Sequence, residues 1–218
     1  PALTTSSPMF PRSNPKKQNI RAIIFTHGHY DHIHAFPYLL ERLGNPMIYT
    51  AMLTKALIEK RLLEFPNLPK PRFIIVKGGD TVKLSEHFSA EFFEISHTIP
   101  DGLGFVLKTP VGNMAHFGDF RLNVDKDGKP VDTEVFERLG TMNLHTVFMD
   151  STNSIKTGFS VSERVVEAEL EGLFKNAKGR IIVGTFASML DRLGEIIKIA
   201  NKIGRKVALN GRAMKDNI

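Results

Sequence analysis

Cysteine is absent from this 218-residue chain. That excludes a disulfide framework and any thiolate metal site, and it fits a cytoplasmic setting. No run approaches the roughly 18 apolar residues of a membrane-spanning helix, so no membrane partner is expected. The first residues carry no apolar core of the kind a signal peptide has. No Walker A motif and no G-x-G-x-x-G fingerprint occurs, so nucleotide-cofactor binding has no support. No internal repeat is found. No block of five or more basic residues occurs either, although the formal net charge is +6 and the pI near 9.5. Such a balance suits a polyanionic partner such as nucleic acid, but only mildly, because the charges are spread along the chain.

What is present is an ordinary soluble composition, 42% hydrophobic and 24% charged. The length allows a sizeable core; it is long for one domain and short for two. Residues 1–19 hold four prolines, several Ser and Thr, and Lys16-Lys17. They read as a loop or loose arm. The chain begins with Pro1 rather than Met, which points to a processed or partial chain.

The chemistry is concentrated after the apolar run Ile20-Arg21-Ala22-Ile23-Ile24-Phe25. That run reads as a buried strand ending at a loop. Thr26-His27-Gly28-His29-Tyr30-Asp31-His32 follows, with four metal-capable side chains within six residues. In extended backbone alternate residues point the same way, so His27 and His29 can face one ion. Asp31 and His32 lie where the chain turns and can reach a second. Imidazole and carboxylate suit zinc, and also manganese or iron.

Further along, Ala35–Leu43 has helical spacing with Phe36, Leu39, Leu40 and Leu43 on one face, and Gly44 as C-cap. Met47–Thr50 reads as a strand. Ala51–Phe65 reads as a helix ended by Pro66 and Pro69. Phe73–Val76, Thr81–Leu84 and Ala90–Ile95 read as strands. The last of these leads into His97. A lone strand-end histidine is usually structural, but the first motif lacks ligands and needs one from such a position. Gly104–Thr109 and Asn113–Phe117 form a hairpin about Pro110-Val111-Gly112. It runs into Asp119, whose carboxylate can bridge two ions. His116 falls on the strand and reads as a core or facing residue. Thr146–Met149 is a strand ending at Asp150. Ser160 can cap a helix to about Asn176, with Glu163 completing a capping box. Arg180–Thr185 and Lys206–Leu209 read as strands about a helix opened by Ser188 or Asp191. The β-α-β alternation predicts a parallel sheet there. The change near residue 150 sets the domain boundary: arm 1–19, first domain 20–150, second domain 151–218.

His27-Gly28-His29-Tyr30-Asp31-His32 matches the H-x-H-x-D-H motif of the metallo-β-lactamase superfamily. His97-Thr98-Ile99-Pro100-Asp101 and Gly118-Asp119-Phe120-Arg121 resemble segments of its ribonuclease J group. Asp150-Ser151-Thr152-Asn153 resembles the motif that opens the β-CASP domain. Thr185-Phe186-Ala187-Ser188 and Gly211-Arg212-Ala213-Met214 are similar to further β-CASP segments. The resemblance implies an α/β fold: an αββα sandwich of the metallo-β-lactamase type, incomplete at its start, then part of a β-CASP domain. It implies a metal-dependent ribonuclease acting on single-stranded RNA, as a 5′-to-3′ exonuclease, an endonuclease or both. It implies two divalent ions, zinc or manganese. His27, His29 and His97 would hold the first, Asp31 and His32 the second, and Asp119 would bridge. Asp150 would sit near the site and orient a group from the later β-CASP histidine motif, and Ser188, at a helix start, would offer a backbone N–H and a hydroxyl to RNA phosphate. Family members commonly assemble as dimers or tetramers.

The chain departs from the family pattern. His34-Ala35 stands where Gly-Gly or Gly-Ala follows the motif, and Tyr30 where an acidic residue is common. About twenty residues precede the motif instead of several strands, and none of the eight histidines follows His145, so the second metal site would lack its last ligand. An internal fragment, weak or inactive alone, is therefore expected. The alternatives are another hydrolase of the superfamily, acting on DNA or small esters, or a non-catalytic RNA-binding fragment. The Asp150 motif and the β-α-β tail argue against small substrates.

Overall fold

The computed structural model describes residues 19–125, 127–131, 133–158 and 161–217. The arm expected over 1–19 lies outside them except for its last residue, and so does Ser160. Among the described residues two sheets face each other. Sheet A is parallel, in the order β1 (Ala22–Ile24), β2 (Met47–Thr50), β3 (Arg72–Ile75). Sheet B holds β4 (Thr81–Lys83), β5 (Ser89–Glu94), β6 (Leu103–Thr109) and β7 (Gly112–His116), antiparallel in sequence order. A fifth strand, β8 (Leu144–Phe148), lies parallel to β7.

Alternation along each strand builds the layers. Ala22 and Ile24 of β1, Met47 and Tyr49 of β2 and Ile74 of β3 pack against Ala90 and Phe92 of β5 and Leu103 and Phe105 of β6. This is the core between the sheets. The intervening residues Ile23, Ile48 and Phe73 face the other way, into a cluster with Ile33, Phe36, Leu40 and Ile58. Those come from α1 (Tyr30–Ile33), α2 (Phe36–Leu39) with the residue after it, and α3 (Met52–Leu62). On the far side of sheet B, Phe93, Val106 and Ala115 pack with Phe117, Leu139, Val135 and Phe136. The last three belong to α4 (Glu134–Gly140), a helix that sequence spacing missed. The order helices, sheet, sheet, helix is the expected αββα sandwich.

Several local expectations change. The single helix over Ala35–Leu43 is two short helices. Pro37 sits at the first turn of α2, where its missing N–H costs nothing. The chain closes at Gly44, whose φ of 80° allows the turn. The parallel pairing expected in the tail lies instead at the front, where α1–α2 and α3 supply the crossovers that parallel strands need. Arg180–Thr185 and Lys206–Leu209 carry no ladder. Parallel strands are stable when covered on both faces. Here Ile181 packs against helices while Ile182 is 90% exposed.

The tail is helical: α5 (Glu163–Asn176), α6 (Leu190–Lys202) and α7 (Arg212–Asn217). Phe174, Ile196 and Ile199 are buried between α5 and α6. The cap of α5 is Ser162, whose hydroxyl accepts from Val165 N–H. Glu163, expected in a capping box, instead receives Arg192 at 2.7 Å and Arg121 from the loop after β7.

Phe92 is fully buried at the centre of the inter-sheet core. Phe92→Ala is expected to cost about 3–5 kcal/mol of stability, read by denaturant unfolding. A loss under about 1 kcal/mol would show that the sheets do not pack on this ring.

Candidate metal centre

The strand exits converge at one end of the sandwich. Phe25 N–H extends β1 by bonding Tyr49 carbonyl at 3.1 Å, and Thr50 hydroxyl donates to Phe25 carbonyl at 3.1 Å. Thr26 carbonyl accepts from Leu103 N–H at 2.8 Å, pinning the exit of sheet A to the first residue of β6. The backbone that delivers His27 is therefore held by both sheets. His29 is the N-cap of α1, and its carbonyl takes the N–H groups of His32 and Ile33. That turn re-aims Asp31 and His32 relative to His27 and His29.

His97 and Asp119 arrive from sheet B. His97 lies after β5. Asp101, four residues on, has φ of 61° and accepts from Leu53 N–H at 3.2 Å in the first turn of α3. It is a cap supplied from another segment, since Ala51 offers none. Asp119 follows Gly118, whose φ is 65°. A Cβ on Gly118 would lie 2.8 Å from Thr26 Oγ1. Only hydrogen fits where the β7 exit crosses the β1 exit. A Cβ on Gly28, between the two histidines, would likewise lie 2.5 Å from Leu57 Cδ1 of α3. Thr26, Gly28, Asp101 and Gly118 were missed as site-shaping residues. The glycines beside candidate ligands were the available signal.

The ligating atoms of His27, His29, His97 and Asp119 all lie within 4.8 Å of one another, as do those of Asp31, His32 and Asp119. His97 Nε2 is 3.0 Å from His29 Nδ1, and Asp119 Oδ2 is 3.8 Å from both His27 Nε2 and His97 Nε2. Tetrahedral ligands about 2.0–2.1 Å from zinc stand about 3.3 Å apart, so the first group has the right spread. Asp119 Oδ2 also meets His32 Nε2 at 3.2 Å. One carboxylate thus belongs to both groups.

One buried atom tests whether a cation suits the site. His27 is 1% exposed, and its Nε2 has no hydrogen-bond partner. Its Nδ1 is 3.1 Å from Thr26 Oγ1. With the proton on Nδ1, Nε2 presents a lone pair to the cluster. A buried imidazole nitrogen without a partner costs free energy unless something coordinates it. Burial pushes the His27 pKa down to about 3, helped by the neighbouring His32, His97 and His29. His29 and His97 are lowered too, first by burial. The three imidazoles of the first group are thus pushed towards the neutral form, the form that binds metal.

Other residues separate clearly from this set. His116 stacks on Phe105 at 5.3 Å, and its Nδ1 accepts from Gly118 N–H at 3.0 Å. His34 pairs with Arg61 Nη2 at 3.0 Å. Asp150 comes off β8 beside the site but belongs to neither group. Its carboxylate accepts from Thr152 N–H at 2.8 Å, and Thr152 holds its pKa below the usual range, with a lesser contribution from His97. Ser188 stands two residues before α6, whose N-cap is Met189. It lines a cleft of about 730 Å³ with His29, Tyr30 and Asp31.

The chain belongs to the metallo-β-lactamase superfamily: the model described as "Beta-lactamase superfamily domain" matches residues 2–153. Within it the resemblance is to the ribonuclease J group. The model "Ribonuclease J, beta-CASP domain" matches residues 178–218. A protein named Ribonuclease J from Mycoplasma pneumoniae is 33% identical over 211 residues, covering 97% of this chain and 37% of that protein. One of the same name from Thermus thermophilus is 35% identical over 204 residues, covering 91% and 36%. The chain therefore spans little more than a third of the curated relatives it matches. A crystal structure of a protein of unknown function from Enterococcus faecalis shares the fold, with TM-score 0.61 at 19% identity over 88% of this chain and 52% of that one. No helix among the described residues is long and apolar enough to cross a membrane. Superfamily and donor set together support divalent-metal binding.

Two outcomes are expected. In metal-free protein, His27 is protonated in the unfolded chain near pH 6.5 but in the folded chain only near pH 3. The unfolded state binds more protons between those values, so stability falls as pH drops from 6.5 towards 3. A melting temperature independent of pH across that window would contradict this. Gly118→Ala is expected to cost about 1–2 kcal/mol and to lower metal affinity about 10–100-fold, measured by calorimetric titration. Unchanged affinity would show that Asp119 is placed by other contacts.

Proposed function

We propose that this protein is a metal-dependent ribonuclease that hydrolyses phosphodiester bonds of single-stranded RNA, from an end, internally or both. The observation that carries this reading is the pair of ligand groups that share Asp119. Paired metal sites of this kind serve in-line displacement at phosphorus. The ribonuclease J names of the relatives support RNA as the substrate class.

In this reading His27, His29 and His97 would hold one ion and Asp31 and His32 the other, with Asp119 available to both. Zinc fits the imidazole-rich first group best, and manganese is the second choice. When bound, such ions would lower the pKa of a water and neutralise charge building on the phosphate. Thr26 fixes the ring of His27. Asp150, beside His97 but outside both groups, orients a neighbouring group or water. Ser188 offers its hydroxyl to a phosphate of the strand lying in the cleft. The boundary near residue 150 separates the metal-bearing sandwich from the helical part that forms the other wall of the cleft.

The test is cleavage of a 5′-monophosphorylated single-stranded RNA, the DNA of the same sequence and a β-lactam reporter, with added zinc or manganese. RNA cleavage, weak for this chain alone, is expected to exceed cleavage of the other two substrates and to stop with chelator. Asp119→Asn is expected to lower it by about 100-fold or more, since even outer groups at metal sites are worth 10–100-fold. RNA cleavage that survives chelation, or a preference for the β-lactam, would refute the assignment.

A further inference from the structure

Two departures from the family pattern, Tyr30 and His34, lie together in space. Tyr30 opens α1 and His34 is its C-cap, i, i+4 neighbours with ring centroids 4.7 Å apart at 73°. Arg61 of α3 joins them. Its Nη2 is 3.0 Å from His34 Nε2, and its guanidinium carbon lies 5.9 Å from the centre of the Tyr30 ring. Arg61 is itself only 8% exposed, held by Glu64 and packed over Phe65 at 5.0 Å. Tyr30, by contrast, is 56% exposed. A large aromatic ring is thus fixed from behind by an imidazole and a buried cation, and left open in front. It stands between two candidate metal ligands, His29 and Asp31.

The open side faces the cleft of about 730 Å³ that also contains Ser188 and Phe186, with the cationic Lys60 and Arg212 on its walls. We infer that Tyr30 is a stacking platform for a nucleobase of single-stranded RNA next to the scissile phosphate, with His34 and Arg61 as its positioning residues. This rests on the ribonuclease reading above. The chemistry favours a base over another apolar group. Basic side chains beside the ring suit the phosphates on either side of it, and a π-face accepts any base without hydrogen-bond readout. A cation behind the ring adds to its fixed orientation. Sequence spacing assigns Tyr30 no role; its position on the cleft wall supplies one.

The experiment is fluorescence anisotropy with a labelled, cleavage-resistant 2′-O-methyl octanucleotide and with the same backbone lacking its bases. Stacking is worth about 1–3 kcal/mol per base. Tyr30→Ala and Tyr30→Leu should therefore weaken binding of the base-containing strand about 5- to 150-fold. Tyr30→Phe should bind as the unaltered protein does, and Tyr30→Trp, with its larger face, more tightly. None should change affinity for the abasic strand. Equal loss on both strands, or unchanged binding by both Tyr30→Leu and Tyr30→Trp, overturns the platform while leaving the ribonuclease reading intact. Failure of the unaltered protein to bind either strand overturns both.

Discussion

The exits of β1 and β7 can cross at van der Waals distance only because position 118 lacks a side chain. Everything in the candidate site depends on that approach. It brings Asp119 to His27, two residues that no local pattern relates. It requires a left-handed turn at Gly118, and the amide of that turn is held by His116. The other exits are braced in the same manner, by Thr26 carbonyl to Leu103 and by Asp101 to the first turn of α3. The ligands are thus delivered by strand ends whose backbone bonds are made to the other sheet or to a helix. Such bracing holds side chains in place before any ion arrives.

The arrangement is expensive without an ion. Four imidazoles crowd together, with ring centroids 4.2–4.9 Å from His27 to each of the other three. Burial and mutual repulsion keep His27 neutral, and its Nε2 is left without a partner. A site that is unsatisfied in this way is poised to gain from a cation, because coordination replaces the missing hydrogen bond. The same neighbours would oppose protonation, so acid and metal compete for one set of lone pairs.

The tail is tied to this centre by charge. Glu163 at the start of α5 receives Arg192 from α6 and Arg121, two residues beyond Asp119. The pairs are partly exposed, so their worth lies in geometry more than in stability. They fix where the helices sit relative to the metal loop, and so the shape of the space in which Tyr30, Ser188 and Phe186 meet.

The sequence alone determined the sandwich class and the candidate ligands. Strand alternation and a histidine-rich turn are local signals, and the resemblance in ordered motifs extended them to His97 and Asp119. The tertiary structure decided what depends on distant partners. His32 meets Asp119 across 87 residues and His29 meets His97 across 68, separations over which periodicity carries no information. Sequence spacing also misjudged the tail: Arg180–Thr185 and Lys206–Leu209 have strand-like composition but no ladder. Composition reports what a segment would do if paired, whereas pairing depends on what lies beside it. Tyr30 shows the same limit. Its identity was visible as a departure from the family pattern, but its ring acquires an orientation only from His34 and from Arg61, which belongs to a different helix.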